Sequence, residues 1–500
     1  MNLNRYLTNL DSFIAACIGF YVIYLYTKYS GVGISPDSIM YASTATNIQA
    51  HGSLLTFNKN PITFFPVFYP FFLAIIQFVT RVDPIKAGAM INASLFALVV
   101  FTSGWIMEKF VVHSRIYKWL ILVAIILSPA LLEIYSFLWS ETLFIFEILL
   151  FIVAYWRYMH THTIKWLLLV GIITGISCIT RYVGVTIVAT GGLLLLLDTE
   201  LTVKKKITHI LYYGITSVTL LATNLIMNKL TTGLSTGTRE PSVTSLWENL
   251  HYTGTVINDW GALSNRMDSF ATLIAAVVLL ALIAVLLWKT YKRRINSYEN
   301  IVIAFAVVYG LFIVIWASIS RFERINSRLL SPMFVPLLIA CTCWVPDVLI
   351  TIKSKARYVL SGVAILLMVA FEYATYQVDW QRYDDEMDYG VPGYSDDSWN
   401  KSEFVVYLKQ HKNIFKPGVP IYSDADEAVY LFTGMSSTLI PHKFFNTDVQ
   451  KFYTQKRFYL VWFNGLSNPE LLSLPDIMKN KKLVKIGSAK EGEIYYCDEK

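Results

Sequence analysis

The sequence predicts an all-α polytopic membrane protein with a small α/β domain at its C-terminal end. Three observations carry this. Of 500 residues, 55% are apolar and only 15% charged, and the mean hydropathy is +0.48, more apolar material than a soluble domain needs. Eleven stretches come near the roughly 20 apolar residues that a spanning helix requires. After residue 377 the texture changes to short amphipathic and alternating segments.

The eleven stretches are 10–28, 87–108, 117–135, 140–158, 165–180, 182–198, 207–229, 268–289, 299–319, 328–349 and 357–376. A twelfth, FFPVFYPFFLAIIQF at 64–78, is short, aromatic and broken by Pro66 and Pro70, and reads as an interfacial or partly inserted helix. Charge supports that choice. With the N-terminus inside, the cytoplasmic connections are KFVVHSRIYK, RYMHTHTIK, the lysines at 204–206, KTYKRR and IKSKAR, and every one is basic. A full span at 64–78 would turn them all outward. The net charge of +7 therefore reports orientation and not affinity for nucleic acid. The first apolar run follows Arg5 and shows no convincing small-residue cleavage site, so a retained anchor is expected. Four of the five cysteines lie in apolar runs and Cys497 has no partner in the tail, so neither a disulfide nor a cysteine metal site is expected.

This topology puts three long segments outside: 29–86, 230–267 and the tail. The expected domains are a transmembrane domain, 1–377, which includes the first two of these, and a soluble extracytoplasmic α/β domain, 378–500. In the tail, WNKSEFVVYLKQH reads as an amphipathic helix. GVPIYSDADEAVYLFTG and FYLVWFNG read as strands with a helix between them.

Candidate chemistry begins at SPDS. Ser35 suits a helix N-cap, Pro36 the first turn, and Asp37 the positive helix end. A helix start alone accounts for Asp37. Its place adds a second reading: it follows the first span on the outer face, with Tyr41 one turn along, and an acid there accepts a proton from a hydroxyl held against it. FLWSETLF puts Ser140 and Glu141 on the same side, again at a helix start. Glu147 lies deeper in that span, facing a cavity or a base, and ranks below Glu141. ITRYVG places Arg181 between two spans, and SRFERINSRLLSP places Arg321, Arg324 and Arg328 in an outer loop with Glu323. The charge rule disfavours arginines there, while a guanidinium pairs bidentately with phosphate. Snorkelling to headgroups or pairing with Glu323 is the alternative. The outer loop 230–267 adds Arg239, His251, Tyr252, Asp259, Trp260 and Arg266, a mixture that suits sugar or lipid contact. The histidines of HTH at 160–162 read as a solvated loop. No phosphate-binding glycine loop, paired-glycine nucleotide fingerprint or Ser/His/Asp arrangement is visible.

Taken in order, these features resemble the C-type (GT-C) lipid-phosphate-dependent glycosyltransferases, related to protein O-mannosyltransferases and lipid A aminoarabinose transferases. The matching stretches are PDSIMYASTATNIQAHG, FFPVFYPFFLAI, WSETLF, GISCITRYVG, SRLLSP and IYSDADEAVYLFTG. Their order across most of the chain carries the resemblance, and no single one does. It implies the GT-C fold and inverting transfer of a sugar from a polyprenyl-phosphate donor to a lipid, protein or polysaccharide acceptor. The implied location is the outer face of a bacterial inner (plasma) membrane, with the N-terminus cytoplasmic. Carried over, Asp37 is the catalytic acid and Glu141 the second. Arg181, Arg328, Arg324 and Arg321 hold the donor phosphate, and Tyr41, Tyr69 and His251 contact substrate. One departure stands out: relatives with an acidic pair have a second acid where this chain has Ser38, and that pair can bind a metal. No cofactor is therefore expected, and the chemistry is expected to run without a metal. A transporter or lipid flippase is the alternative, but it calls for repeated halves and mid-membrane charges, which the sequence lacks. A scaffold for the outer domain would leave the acids and arginines at span ends unexplained.

Overall fold

The computed structural model describes residues 9–110, 115–262, 265–293, 295–321, 323–350, 352, 354–466 and 468–499. Arg5, parts of three basic connections (111–114, Arg294 and Lys353) and the Cys343 side chain lie outside the described residues. The chain opens with α1 (Leu10–Thr27), α2 (Pro36–His51), α3 (Phe68–Thr80) and α4 (Pro84–Phe110). It continues through α5 (Arg115–Ile126), α6 (Pro129–Ser136), α7 (Glu141–Thr161), α8 (Ile164–Thr180), α9 (Val185–Leu197) and α10 (Val203–Thr232). Then come α11 (Leu246–Trp260), α12 (Ala271–Tyr291), α13 (Tyr298–Ile319), α14 (Ser327–Ile350) and α15 (Ser354–Tyr389). The tail runs α16 (Asp397–Asn400), α17 (Glu403–Gln410), β1 (Ile421–Ser423), α18 (Asp426–Thr433), β2 (Thr438–Leu439) and α19 (Asn446–Thr454). It ends with β3 (Arg457–Phe463), α20 (Leu474–Asn480), β4 (Leu483–Ala489) and β5 (Gly492–Asp498).

All eleven expected spans are helical, and among the described residues seven helices are long and apolar enough to cross a membrane. A bend of 48° separates α5 from α6, which make an eighth if they are one span. Pro129 opens α6 after a Ser128 cap, which is why the helix breaks there. α8, Tyr182–Leu197 and Ser327–Thr342 are apolar but shorter, as is the aromatic helix α3. The chain is an integral membrane protein.

By its internal contacts the chain forms two compact units. The first comprises Met1–Lys28, Thr63–Tyr69 and Ala87–Asp385. Its core is aromatic, with Phe96, Tyr135, Phe144, Phe151, Tyr155, Tyr158, Phe305 and Tyr309 fully enclosed. α8 and α10 pack closely because Gly171 has no side chain; a Cβ there would collide with Thr216. The Asn92 side-chain amide, also enclosed, donates to the carbonyls of Tyr135 (2.9 Å) and Phe137 (2.7 Å) and so fixes the chain leading into α7.

The second unit comprises Tyr29–Ile62, Pro70–Lys86 and Glu386–Lys500. This divides the chain differently from a boundary at 377/378, since most of 29–86 goes with the tail. The reason is apolar: Ile34, Ile39 and Phe57 join Phe404, Val405, Leu408, Val429, Val461 and Phe463 in one buried cluster. Backbone bonds tie the same segments, from Tyr394 N–H to the Ile34 carbonyl (2.8 Å) and from the Ser395 hydroxyl to that of Val32 (2.6 Å). The sheet order is β2-β1-β3-β5-β4. β1 runs parallel to β2 and β3, and β5 antiparallel to β3 and β4. Strand alternation splits β3 between two cores: Tyr459, Val461 and Phe463 face one, Phe458 and Leu460 the other.

The amphipathic helix expected at 399–411 is α17, after the short α16, and the FYLVWFNG strand is β3. IYSDADEAVYLFTG corrects the strand expectation, since only Ile421–Ser423 is strand and the rest is α18. Asp426 and Glu427 occupy the first helical turn, where carboxylates are favoured, and Gly434 closes the helix at φ +75°. Burial falls on Ala428, Val429 and Thr433 at helical spacing, although Val-Tyr-Leu-Phe looks like a strand when read alone.

Candidate functional site

The sequence-predicted residues fall into two groups, one in each unit. In the first, Glu141 opens α7 and is completely buried. Its Oε2 lies 2.5 Å from Arg181 Nη1 and its Oε1 accepts from Arg328 Nε at 2.5 Å. Arg181 sits in extended backbone where α8 ends, and Arg328 in the first turn of α14. Ser140 is the N-cap of α7 but makes no side-chain capping bond. Its hydroxyl accepts from Arg181 Nη1 instead, at 2.9 Å. Arg328 lies over the Trp139 ring, 4.0 Å from its centre, and Trp139 stacks on Phe137 at 4.2 Å. Tyr69 is fully enclosed, with Thr142 and Glu141 beside its hydroxyl.

A carboxylate between two guanidiniums has its lone pairs satisfied and leaves one net positive charge. The arginine side chains keep 18% and 15% of their surface open. A guanidinium fork matches the geometry of carboxylates and phosphates alike. Of the four arginines that the resemblance assigns to the donor phosphate, these two are brought together. Arg321 pairs with Glu240 (3.3 Å), and Arg324 lies over the Tyr252 ring (4.1 Å). His251 Nε2 lies 3.4 Å from an Asp268 carboxylate oxygen on an exposed edge. Glu147 accepts from the Thr180 hydroxyl (2.8 Å), a hydroxyl and not a base. The HTH reading also changes: His162 caps α7 at φ 45° and its Nε2 meets buried Asp198 at 2.8 Å. Trp139 and Asn92 were missed in the sequence. The Trp directly before Ser-Glu was the available signal for the first, and Asn92 left none.

In the second unit, Asp37 is half-buried in the first turn of α2. Ser35 caps that helix as expected. Ser38 completes a capping box, its hydroxyl accepting from the Ser35 N–H at 3.1 Å. Tyr41, one turn on, is buried at 2% exposure. α18 packs on α2. At the end of β1 the Asp424 carboxyl accepts from Phe463 N–H (3.0 Å), and burial pushes its pKa up to about 7. Burial also raises Asp426 and Glu427, and the charge of Asp37 adds to the rise on Glu427. Among the described residues no group of three or more His, Cys, Asp or Glu side chains is placed to hold a metal ion.

The architecture defines a class: this is the fold of the GT-C membrane glycosyltransferases. ArnT from Cupriavidus metallidurans in the apo state matches with a TM-score of 0.59 at 12% identity, covering 97% of each chain. The same protein bound to undecaprenyl phosphate matches at 0.59 and 11% identity, covering 99% of this chain and 98% of that one. The mycobacterial arabinofuranosyltransferase AftD matches at 0.52 and 15% identity, with 97% of this chain spanning 40% of that one. No family model and no curated protein matches the sequence. At these identities the likeness is one of fold.

Proposed function

We propose that the protein is an inverting glycosyltransferase that moves a sugar from a polyprenyl-phosphate donor to a lipid, protein or polysaccharide acceptor. The reading puts the reaction on the outer face of a bacterial inner membrane. The observation that carries it is the pair of partly open arginines on one buried carboxylate, within a GT-C fold whose ArnT representative was solved with undecaprenyl phosphate.

In this reading Arg181 and Arg328 hold the donor phosphate, and Glu141 and Trp139 hold the arginines. Asp37 takes the proton of the acceptor hydroxyl or amine. The acceptor atom attacks the anomeric carbon from the face opposite the lipid phosphate. As the new bond forms, the anomeric carbon–oxygen bond breaks and its electron pair leaves on the phosphate. The growing charge falls where fixed guanidiniums already stand, which is where preorganised electrostatics lowers a barrier most. The scheme uses no metal, in keeping with Ser38 standing where some relatives have a second acid.

The test is transfer or hydrolysis from a panel of labelled polyprenyl-phosphate sugars, with wild type and Asp37→Asn side by side. Sugar release by wild type, reduced at least about a hundredfold in the variant, is the expected result. Wild-type turnover in folded Asp37→Asn would remove Asp37 from the chemistry. No release from any donor would remove the glycosyltransferase reading.

A further inference from the structure

Glu147 is a buried acid of α7 that the proposed reaction does not use. It lies six residues after Glu141, about 9 Å along the same helix. It is 5% exposed, and an ionisable side chain at such a place in a span is costly enough to mark a role. Its Oε1 accepts from the Thr180 hydroxyl at 2.8 Å. Its Oε2 has no hydrogen-bond partner among the described residues, and Ser177 beside it gives its hydroxyl to the Ile173 carbonyl at 2.9 Å. An apolar side chain would fill this place at less cost.

What Glu147 holds is the end of α8. Thr180 is the last residue of that helix, and Arg181 follows it in extended backbone, at φ −145° and ψ 136°. Helix ends fray unless something beyond their own backbone holds them. A threonine in a helix bonds back to the carbonyl four residues earlier, and Thr180 does so with Ile176 at 3.0 Å. The bond to Glu147 is an addition, and it ties the end of α8 to another helix. The next residue does the same, with Arg181 Nη1 2.5 Å from Glu141 Oε2. Two acids of α7 thus hold two consecutive residues of the joint. The short side chain meets the acid within the helix, and the long one reaches the acid at the helix start. On the far side, Gly184 N–H donates to the Arg181 carbonyl (2.8 Å), and the Tyr182 hydroxyl donates to the Thr63 carbonyl (3.1 Å).

We infer that Glu147 is a positioning residue for Arg181: by holding Thr180 it fixes the backbone from which the guanidinium reaches the Glu141 carboxylate and the donor phosphate. This rests on the reading of Arg181 as a phosphate ligand. In this arrangement Glu147 touches neither donor nor acceptor. Its effect passes through one hydroxyl, and a small displacement of the guanidinium is enough to weaken a fork-shaped contact. Glutamine at 147 keeps a carbonyl oxygen that accepts from the Thr180 hydroxyl, whereas alanine has none. Valine at 180 keeps the shape of threonine and loses the hydroxyl proton.

The test uses the full-length protein in nanodiscs and a labelled polyprenyl phosphate without sugar, so that affinity is read apart from chemistry. Wild type is compared with Glu147→Ala, Glu147→Gln, Thr180→Val, the Glu147→Ala/Thr180→Val double variant and Arg181→Ala, each checked for folding by thermal melting. Glu147→Ala and Thr180→Val should each raise Kd about tenfold, and Glu147→Gln should recover most of that loss. The double variant should bind no more weakly than the weaker single one, because both substitutions remove the same contact. A Glu147 that served packing alone would lower the melting temperature and leave Kd unmoved. An unchanged Kd in either folded single variant, or additive losses of about a hundredfold in the double variant, overturns the inference. If Glu147→Ala does not fold, Thr180→Val decides by itself, with a raised Kd for the inference and an unchanged one against it. Arg181→Ala separates the two readings. An unchanged Kd there removes the phosphate role and the inference with it. A raised Kd there, with wild-type binding in Thr180→Val, removes the role of Glu147 alone.

Discussion

Glu141 and Asp37 carry the same local signature, an acid in the first turn of a helix that a serine precedes, yet the two units treat them oppositely. Ser35 caps its helix and Ser38 completes the box, so the start of α2 is satisfied within itself. Ser140 makes no capping bond, and its hydroxyl goes to Arg181. Glu141 is sealed between two cations, whereas Asp37 is half-buried in the first turn of its helix. A helix-start serine released from capping thus marks a place built for something other than the helix. On the proposed reading the two acids divide the work: one organises cations, the other takes a proton.

The comparison breaks most visibly at Glu141. Glu141→Ala leaves two guanidiniums facing an empty buried space, and the loss should be about 3–5 kcal/mol, read by thermal unfolding in detergent. Asp37→Asn should stay within about 0.5 kcal/mol of wild type in the same measurement, because it lies at a half-exposed helix start. Equal losses would collapse the distinction. Next comes Arg328→Lys, which keeps the charge but loses the flat contact with Trp139 and the fork geometry. A fall in donor turnover of about a hundredfold, with the protein folded, is expected.

The serines sharpen the comparison at smaller scale. Ser35→Ala should cost about 1 kcal/mol of stability through the lost cap. Ser140→Ala has no cap to lose, so its effect should appear in turnover as Arg181 loosens. A pH dependence at Asp424 is the last expectation. Its carboxyl is raised by burial to about 7, so the folded state holds a proton that the unfolded chain releases near 4. The contribution is therefore full below about pH 4 and is lost as pH rises to about 7. Asp424→Asn should flatten that part of the stability profile, measured as melting temperature against pH.

Much of the membrane part was legible because a span is a local property: a long apolar run must be helical in lipid, whatever else the chain does. The residues of the arginine group were legible one at a time. Their convergence was not, since positions 141, 181 and 328 are joined only by the packing of α7, α8 and α14. The same reason hid the second unit. Ile34, Ile39 and Phe57 look like ordinary loop hydrophobics until Phe404 and Val429, hundreds of residues later, close over them. At 426–433 local composition pointed the wrong way: the apolar, β-prone run Val-Tyr-Leu-Phe suits a strand, while the acidic first turn with Gly434 decides for a helix.

Ser38 has a consequence for how such a protein changes over generations. Its hydroxyl accepts the Ser35 N–H within the capping box, and a carboxylate at the same helical position accepts that bond equally well. Acid and alcohol are therefore interchangeable there as far as the helix is concerned. Packing is a separate matter, since Ser38 is fully buried and a carboxylate in its place would need a partner. A second acid beside Asp37 therefore asks for a change in the packing around α2 as well as in the reaction.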